Sequence, residues 1–299
     1  MVERLTTKQL DEHFSKMPEA MRPHRVERSF FLACFIISHY LGKQWIEDHV
    51  IKPVDNNGIF AIDEGDFQNG KTLVQVYRAV DLAETLVNLQ HIDGFLECIV
   101  RMKSARNPEP SLAEMHIGKA LYTNDWMFRF IKPIGKPGSD YDFEINYNDI
   151  ILCGDAKCNL TSTELSSRTI TNTLTSSRRQ LPAGLPGAFF FKVPQRWAQE
   201  PDFEAILTKG ANDFFAKGSQ RVVSVAFYTD PLTWAEGLLS LRHQFYEVLN
   251  PRHGFGDAFD WRLFHRWRPS PPRKNLMPDK WFNLFTYPTP AIELADDAW

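Results

Sequence analysis

The sequence predicts an α/β protein: a central mixed sheet flanked by helices, preceded by a mainly helical N-terminal region. Three observations predict it. Between residues 127 and 230, short apolar runs of strand length alternate with helix-length segments, the pattern of a sheet covered by helices. From Thr72 to Met102, Leu82, Leu86, Leu89, Ile92, Leu96 and Ile99 recur at steps of three and four, which marks a long packed helix bent near Gly94. A chain of 299 residues with 43% hydrophobic residues is also long enough to bury a substantial core.

In chain order, residues 1–27 are polar with scattered apolar positions and Arg28 to Gln44 carries an apolar run; both read as helical. Asp55 to Gly70 is a loop rich in Asp, Asn and Gly. The long helix ends at Asn107-Pro108-Glu109-Pro110, because proline disfavours helix at the residue before it. That stretch separates an N-terminal region, 1–107, from a core, 108–230. Ser111 reads as an N-cap for a helix to Tyr122, with Glu114 completing a capping box. Strands follow over Met127–Ile131, Tyr141–Ile145 and Ile150–Lys157. Next come a helix over Thr169–Leu181, a strand over Gly187–Val193, a helix over Phe203–Lys217 and a strand over Arg221–Tyr228. The remainder, 231–299, reads as a helix from Leu232 to Leu249 and an extension dense in arginine and aromatics. That extension includes Arg262, Arg266, Arg268, Arg273 and Lys274 among Phe255, Phe259, Trp261, Phe264 and Trp267. Its three readings are a surface for phosphates and bases, an amphipathic cover over the core, and a partner-binding face.

The chemistry concentrates at Ser139-Asp140-Tyr141-Asp142-Phe143-Glu144-Ile145 and Ile150-Ile151-Leu152-Cys153-Gly154-Asp155-Ala156-Lys157. Alternate side chains of a strand share a face, so Asp142 projects with Asp140 and Glu144, and Asp155 with Lys157. Pairing across the intervening turn would gather acids and one lysine into a patch suited to a divalent metal. Asp142 followed by Asp155-Ala156-Lys157 resembles the PD-(D/E)xK nuclease superfamily, with Glu114 on an upstream helix and Ser177-Arg178-Arg179-Gln180-Leu181 ending a downstream one. The resemblance spans roughly residues 111–230. It implies a restriction-endonuclease-like core and Mg2+, with Mn2+ as a substitute, held by Asp142, Asp155, the Ala156 carbonyl and Glu114. It also implies Lys157 beside the attacking water, Gln180 at the nucleophile or scissile strand, and Arg178 or Arg179 on phosphate. The substrate would be nucleic acid, DNA favoured, and the resemblance admits a homodimer. Asp140 rivals Asp142 as the ligand, and Glu114 keeps its capping reading. A noncatalytic protein of the same fold, binding nucleic acid or a partner, is the alternative.

A third class rests on Gly65-Asp66-Phe67-Gln68-Asn69-Gly70-Lys71-Thr72, a literal P-loop spacing. Asp63, Glu64 and Asp66 would set carboxylates beside the phosphates such a loop attracts, which argues against nucleotide hydrolysis there. The net charge of −3 gives no basic footprint in the sum, although the last fifth of the chain is locally basic. Cys34, Cys98, Cys153 and Cys158 form no CxxC pair, so neither a zinc site nor a disulfide framework is expected. The histidines are scattered and form no ligand motif. The N-terminus lacks a signal pattern and the apolar run Phe30 to Leu41 is too short for a bilayer; the expected setting is the cytoplasm, without membrane contact.

Overall fold

A computed structural model describes residues 3–51, 71–132, 134–136, 138–147, 149–158, 163–235, 238–241, 243–256, 262–264 and 281–287. Among them, eight helices and eight strands are formed: α1 (Thr7–Ser15), α2 (Arg25–Leu41), α3 (Lys43–Ile46), α4 (Lys71–Leu89), α5 (Phe95–Ser104), α6 (Glu109–Thr123), β1 (Phe128–Phe130), β2 (Phe143–Tyr147), β3 (Ile150–Lys157), α7 (Ser167–Ser177), β4 (Gly187–Lys192), α8 (Phe203–Ala216), β5 (Val222–Thr229), β6 (Leu232–Ala235), β7 (Leu238–Leu241) and β8 (Gln244–Leu249). Six strands form a mixed sheet in the order β1-β2-β3-β4-β5-β8. β3, β4 and β5 run parallel, while β1, β2 and β8 join antiparallel. The parallel pairs require crossovers, and α7 and α8 supply them.

Alternation along the strands divides the core into two layers. Cys153, Phe189, Phe191, Val225 and Phe227 pack with α7 and α8. Leu152, Ala156, Ala188, Phe190 and Ala226 face the opposite way, into a cluster that extends from Leu5 through α2, α4, α5 and α6 to Tyr287. The N-terminal helices therefore share an apolar core with one sheet face. Gly154 makes close packing possible at the centre, because a Cβ there would lie 2.7 Å from the Phe190 ring and 3.2 Å from Phe143 Cβ.

Three expectations are corrected. The long 72–102 helix is broken, not bent: Gly94 takes a left-handed backbone (φ 79°) between α4 and α5, and a Cβ there would meet the Phe130 carbonyl at 2.1 Å. α6 begins at Glu109, with Pro110 in its first turn, so Ser111 lies inside the helix and the capping box with Glu114 is not made. The expected helix from Leu232 to Leu249 is instead β6, β7 and β8. Its period is two: Tyr246 and Val248 enter the α7/α8 layer, while Phe245 and Leu249 pack on the other, which is strand alternation.

Described parts of the C-terminal segment act as a cover. The Glu247 carboxylate accepts the backbone N–H groups of Leu263 (2.9 Å) and Phe264 (2.8 Å). Glu84 Oε1 accepts from Leu284 N (2.8 Å), and Asn88 brackets the Phe282 backbone at 2.8 and 3.0 Å. Arg266, Arg268, Arg273, Lys274, Phe259, Trp261 and Trp267 lie outside the described residues, as does the Gly65–Gly70 part of the P-loop spacing. Among the described residues, no helix is long and apolar enough to cross a membrane.

Candidate active site

The site forms where β2 stops and β3 runs on. Phe143 opposite Gly154 is the first pair of β2 with β3, and Asp142 stands one residue before it, its N–H donating to the Gly154 carbonyl (2.8 Å). The Ala156 N–H, next on that edge of β3, has no β2 strand left to meet. The Asp142 carboxylate takes it instead, Oδ2 accepting at 2.7 Å. A strand residue points its N–H and C=O to the same edge, so the Ala156 carbonyl faces Asp142 as well. Asp155 is fully buried; its Oδ1 accepts from Lys157 Nζ at 2.8 Å. Its Oδ2 is buried and receives no hydrogen bond while both aspartates are ionised, although a buried polar atom normally has a partner; the Asp142 carboxyl is the neighbour with which it can share a proton.

Glu114 reaches this group from α6 and is also buried. Its Oε2 accepts from Arg101 and, at 3.3 Å, from the Cys98 thiol, both on α5. Three buried carboxyls thus face two cations, Lys157 and Arg101. Burial, and then the Asp142 carboxylate, raise Asp155 well above the ordinary carboxyl range. Burial also raises Asp142, opposed by Lys157, the Ala156 N–H and Arg101. Glu114 is pushed up to about 7 by burial and by Asp142, with Arg101 pulling it down. Such a set holds protons when alone and releases them to a cation.

The other predicted residues lie elsewhere. Asp140 caps the preceding turn, accepting from Ile134 N (2.9 Å) and Gly135 N (2.8 Å). Glu144 accepts from Arg129 Nε (2.8 Å) and the Tyr141 hydroxyl (2.7 Å). Gln180 stands in the turn after α7 that leads to the start of β4, whereas Asp155 and Lys157 stand beside Phe189 and Phe191 further along it. Arg178 donates to Ser219 Oγ (3.4 Å) and its carbonyl accepts from Arg221 (2.7 Å), while Arg179 is exposed. A cleft of about 930 Å3 lies apart from the acids, lined by Phe203, Lys209, Asp213 and Tyr246 among others; its chemistry gives it no claim over the buried carboxyls.

Sequence reasoning missed two features. Arg101 and Cys98, the partners of Glu114, carried no spacing signal. The histidines, expected to remain scattered, do assemble in part: His116 and His243 lie with ring centroids 4.3 Å apart, and each places Nε2 3.9 Å from Asp81 Oδ2. Among the described residues this is the group of three whose ligand atoms all lie within 4.8 Å. Glu114, Asp142 and Asp155 are more widely spread.

No family profile, curated protein or solved structure matches this chain.

Proposed function

We propose that the protein is a metal-dependent nuclease of the PD-(D/E)xK type that hydrolyses phosphodiester bonds of nucleic acid, DNA favoured. The observation that carries the reading is the buried, unpartnered Oδ2 of Asp155 beside Asp142, with Lys157 on the other oxygen of the same carboxylate. Oxygen donors of this kind suit Mg2+, or Mn2+ in its place. Asp142, Asp155 and the Ala156 carbonyl would hold the ion, which supplies charge neutralisation at the phosphate and a more acidic water.

The chain's own residues do the rest. Asp155 fixes the Lys157 ammonium at the edge of the site, where it would donate a hydrogen bond to the attacking oxygen and offset charge gathering on the phosphate oxygens. Asp142 is locked by the Ala156 N–H, so it is positioned before substrate arrives. Glu114 acts on the site through Asp142, and Arg101 sets its charge. Gln180, Arg178 and Arg179 would meet nucleic acid, if at all, away from the carboxyls.

The test is cleavage of labelled single- and double-stranded DNA and RNA by purified protein with Mg2+, Mn2+ or chelator. Metal-dependent cleavage lost in Asp155→Asn and Lys157→Ala supports the reading. Equal cleavage by all three proteins overturns it. The engagement of Glu114 by Arg101 and Cys98 favours one second reading, a noncatalytic nucleic-acid- or partner-binding protein of this fold; binding without cleavage across the panel would select it.

A further inference from the structure

Away from the carboxyls on β2 and β3, three elements distant in sequence bring one polar group each to a buried point: Asp81 from α4, His116 from α6 and His243 from the segment before β8. Their side chains are 9%, 4% and 6% exposed. Neither ring nitrogen of His243 has a hydrogen-bond partner, nor has Nδ1 of His116. The 3.9 Å from each Nε2 to Asp81 Oδ2 is too long for a hydrogen bond. It is close to the separation of two ligands on one ion: metal bonds of about 2.0–2.2 Å in a tetrahedron set ligand atoms about 3.4 Å apart. All three ligand atoms lie within 4.8 Å of one another, so the side chains would draw together on an ion.

We propose that Asp81, His116 and His243 form a second metal site, one that takes a divalent transition-metal ion of the zinc type. Two imidazoles and one carboxylate are borderline donors that select such ions over Mg2+, whereas the set at Asp142 and Asp155 is all oxygen. The surroundings prepare the ligands. Lys119 grips Asp81 Oδ1 and lies over the Trp281 ring at 5.2 Å, which leaves Oδ2 directed at the imidazoles and fixes the carboxylate from outside. Burial foremost holds His116 well below its ordinary pKa and His243 at about 4, so both rings are neutral, the form that binds metal. His243, Lys192, Lys119 and Arg78 lower His116 further; the three cations among them would also repel an ion, and the carboxylates of Asp81 and Asp230, paired with Lys119 and Lys192, offset them. Lys192 is itself paired with Asp230 at 2.9 Å, and Glu84 brings a further carboxyl beside Asp81. Tyr228, whose buried hydroxyl is unpartnered, packs edge-on against both rings at 6.2 and 6.0 Å. Three protein ligands leave a fourth coordination position for a water. An ion there would tie α4, α6 and the β8 segment together.

The test is titration of the metal-stripped full chain with Co2+ in excess Mg2+, read by ligand-field absorption, then competition by Zn2+. Wild type and Asp155→Asn are expected to show the same band, displaced by Zn2+. His116→Gln and His243→Gln are expected to weaken Co2+ binding beyond the roughly 10- to 100-fold that loss of an outer-shell partner costs. No band in wild type overturns the proposal, as does a band lost in Asp155→Asn but kept in His243→Gln. Should the histidine variants fail to fold, X-ray absorption of the wild-type Co2+ complex decides: imidazole scattering supports the site and an all-oxygen shell overturns it. Neither result depends on cleavage, so failure of this proposal is distinguishable from failure of the nuclease reading.

Discussion

The buried carboxyls make the stability of the metal-free protein depend on pH in a particular sense. Glu114 rises from 4.5 to about 7 through burial and Asp142, and Glu84 rises from 4.5 to about 7 mainly through burial. The folded chain therefore binds more protons than the unfolded chain between these values, and stability falls as pH rises through the folded pKa. His116 and His243 act oppositely: their folded pKa is lowered, so the stability tied to them grows as pH rises and levels off about one unit above pH 6.5. From about pH 6.5 to about pH 8 the histidines still add some stability and unfolded thiols begin to ionise, so the contribution of one acid is read as the difference between wild type and its Glu→Gln variant. Across that range, each group with a folded pKa of about 7 lowers stability by about 1 kcal/mol. Glu114 and Glu84 together then account for about 1–2 kcal/mol, and Asp155 adds in the same direction.

Urea unfolding in chelator at several pH values measures this directly. Glu84→Gln, which keeps an acceptor for the Leu284 N–H, should remove about half of the fall contributed by the two glutamates. Saturating Mg2+ should raise wild-type stability most at the alkaline end, because the ion binds the ionised carboxylates. Asp155→Asn should lose that gain. A pH profile in chelator that is the same for Glu84→Gln as for wild type between about pH 6.5 and 8 refutes the account of the buried acids. An unchanged profile in Mg2+ refutes their assignment as a metal site.

Lys157→Ala should lower the turnover number by about 100-fold or more while leaving the Mg2+-induced stability gain near wild type, because the ammonium acts on the reacting oxygens; kinetics beside thermal shift checks this. Gly154→Ala should destabilise by about 1–3 kcal/mol through overpacking, since its Cβ would meet the Phe190 ring at 2.7 Å, and denaturant midpoints report it. Glu247→Ala should release Leu263 and Phe264 from their two backbone contacts, costing about 1–3 kcal/mol and speeding amide exchange at both residues.

The core was legible where side-chain period and length agreed. β3 spans Ile150–Lys157 as its apolar run indicates, and α7, β4, α8 and β5 fall within a few residues of their sequence signals. Periodicity failed from Leu232 onward, where a dense apolar run concealed the alternation of Phe245, Tyr246, Glu247 and Val248. Strand alternation gave Asp140, Asp142 and Glu144 one face, but the backbone bends before Phe143, so Asp140 serves the preceding turn and Asp142 turns back to Ala156. The Asp81, His116 and His243 group was invisible for a simpler reason. Its members sit on α4, α6 and the approach to β8, and no local spacing links elements joined only by tertiary packing.

α6 carries Glu114 beside the proposed nuclease site and His116 in the proposed second metal site, which makes a sharper test of purpose possible. The helix is buried over nearly its whole surface from Ser111 to Leu121, yet it carries Glu114, His116 and Lys119, each needing a partner from another element. A buried ion pair is a poor source of stability: replacing one by apolar groups of similar volume is often neutral or stabilising by about 1–4 kcal/mol, whereas removing one partner costs about 3–5 kcal/mol. Arg101→Met alone should therefore destabilise, most above about pH 7, where Glu114 is left ionised and unpaired. The double variant Arg101→Met/Glu114→Leu should recover that loss or exceed wild-type stability. If the pair exists to set charge beside Asp142, the stabilised double variant should bind Mg2+ differently from wild type and lose metal-dependent cleavage. Unchanged Mg2+ affinity and cleavage in a stable double variant would make the pair purely structural and remove Glu114 from the site.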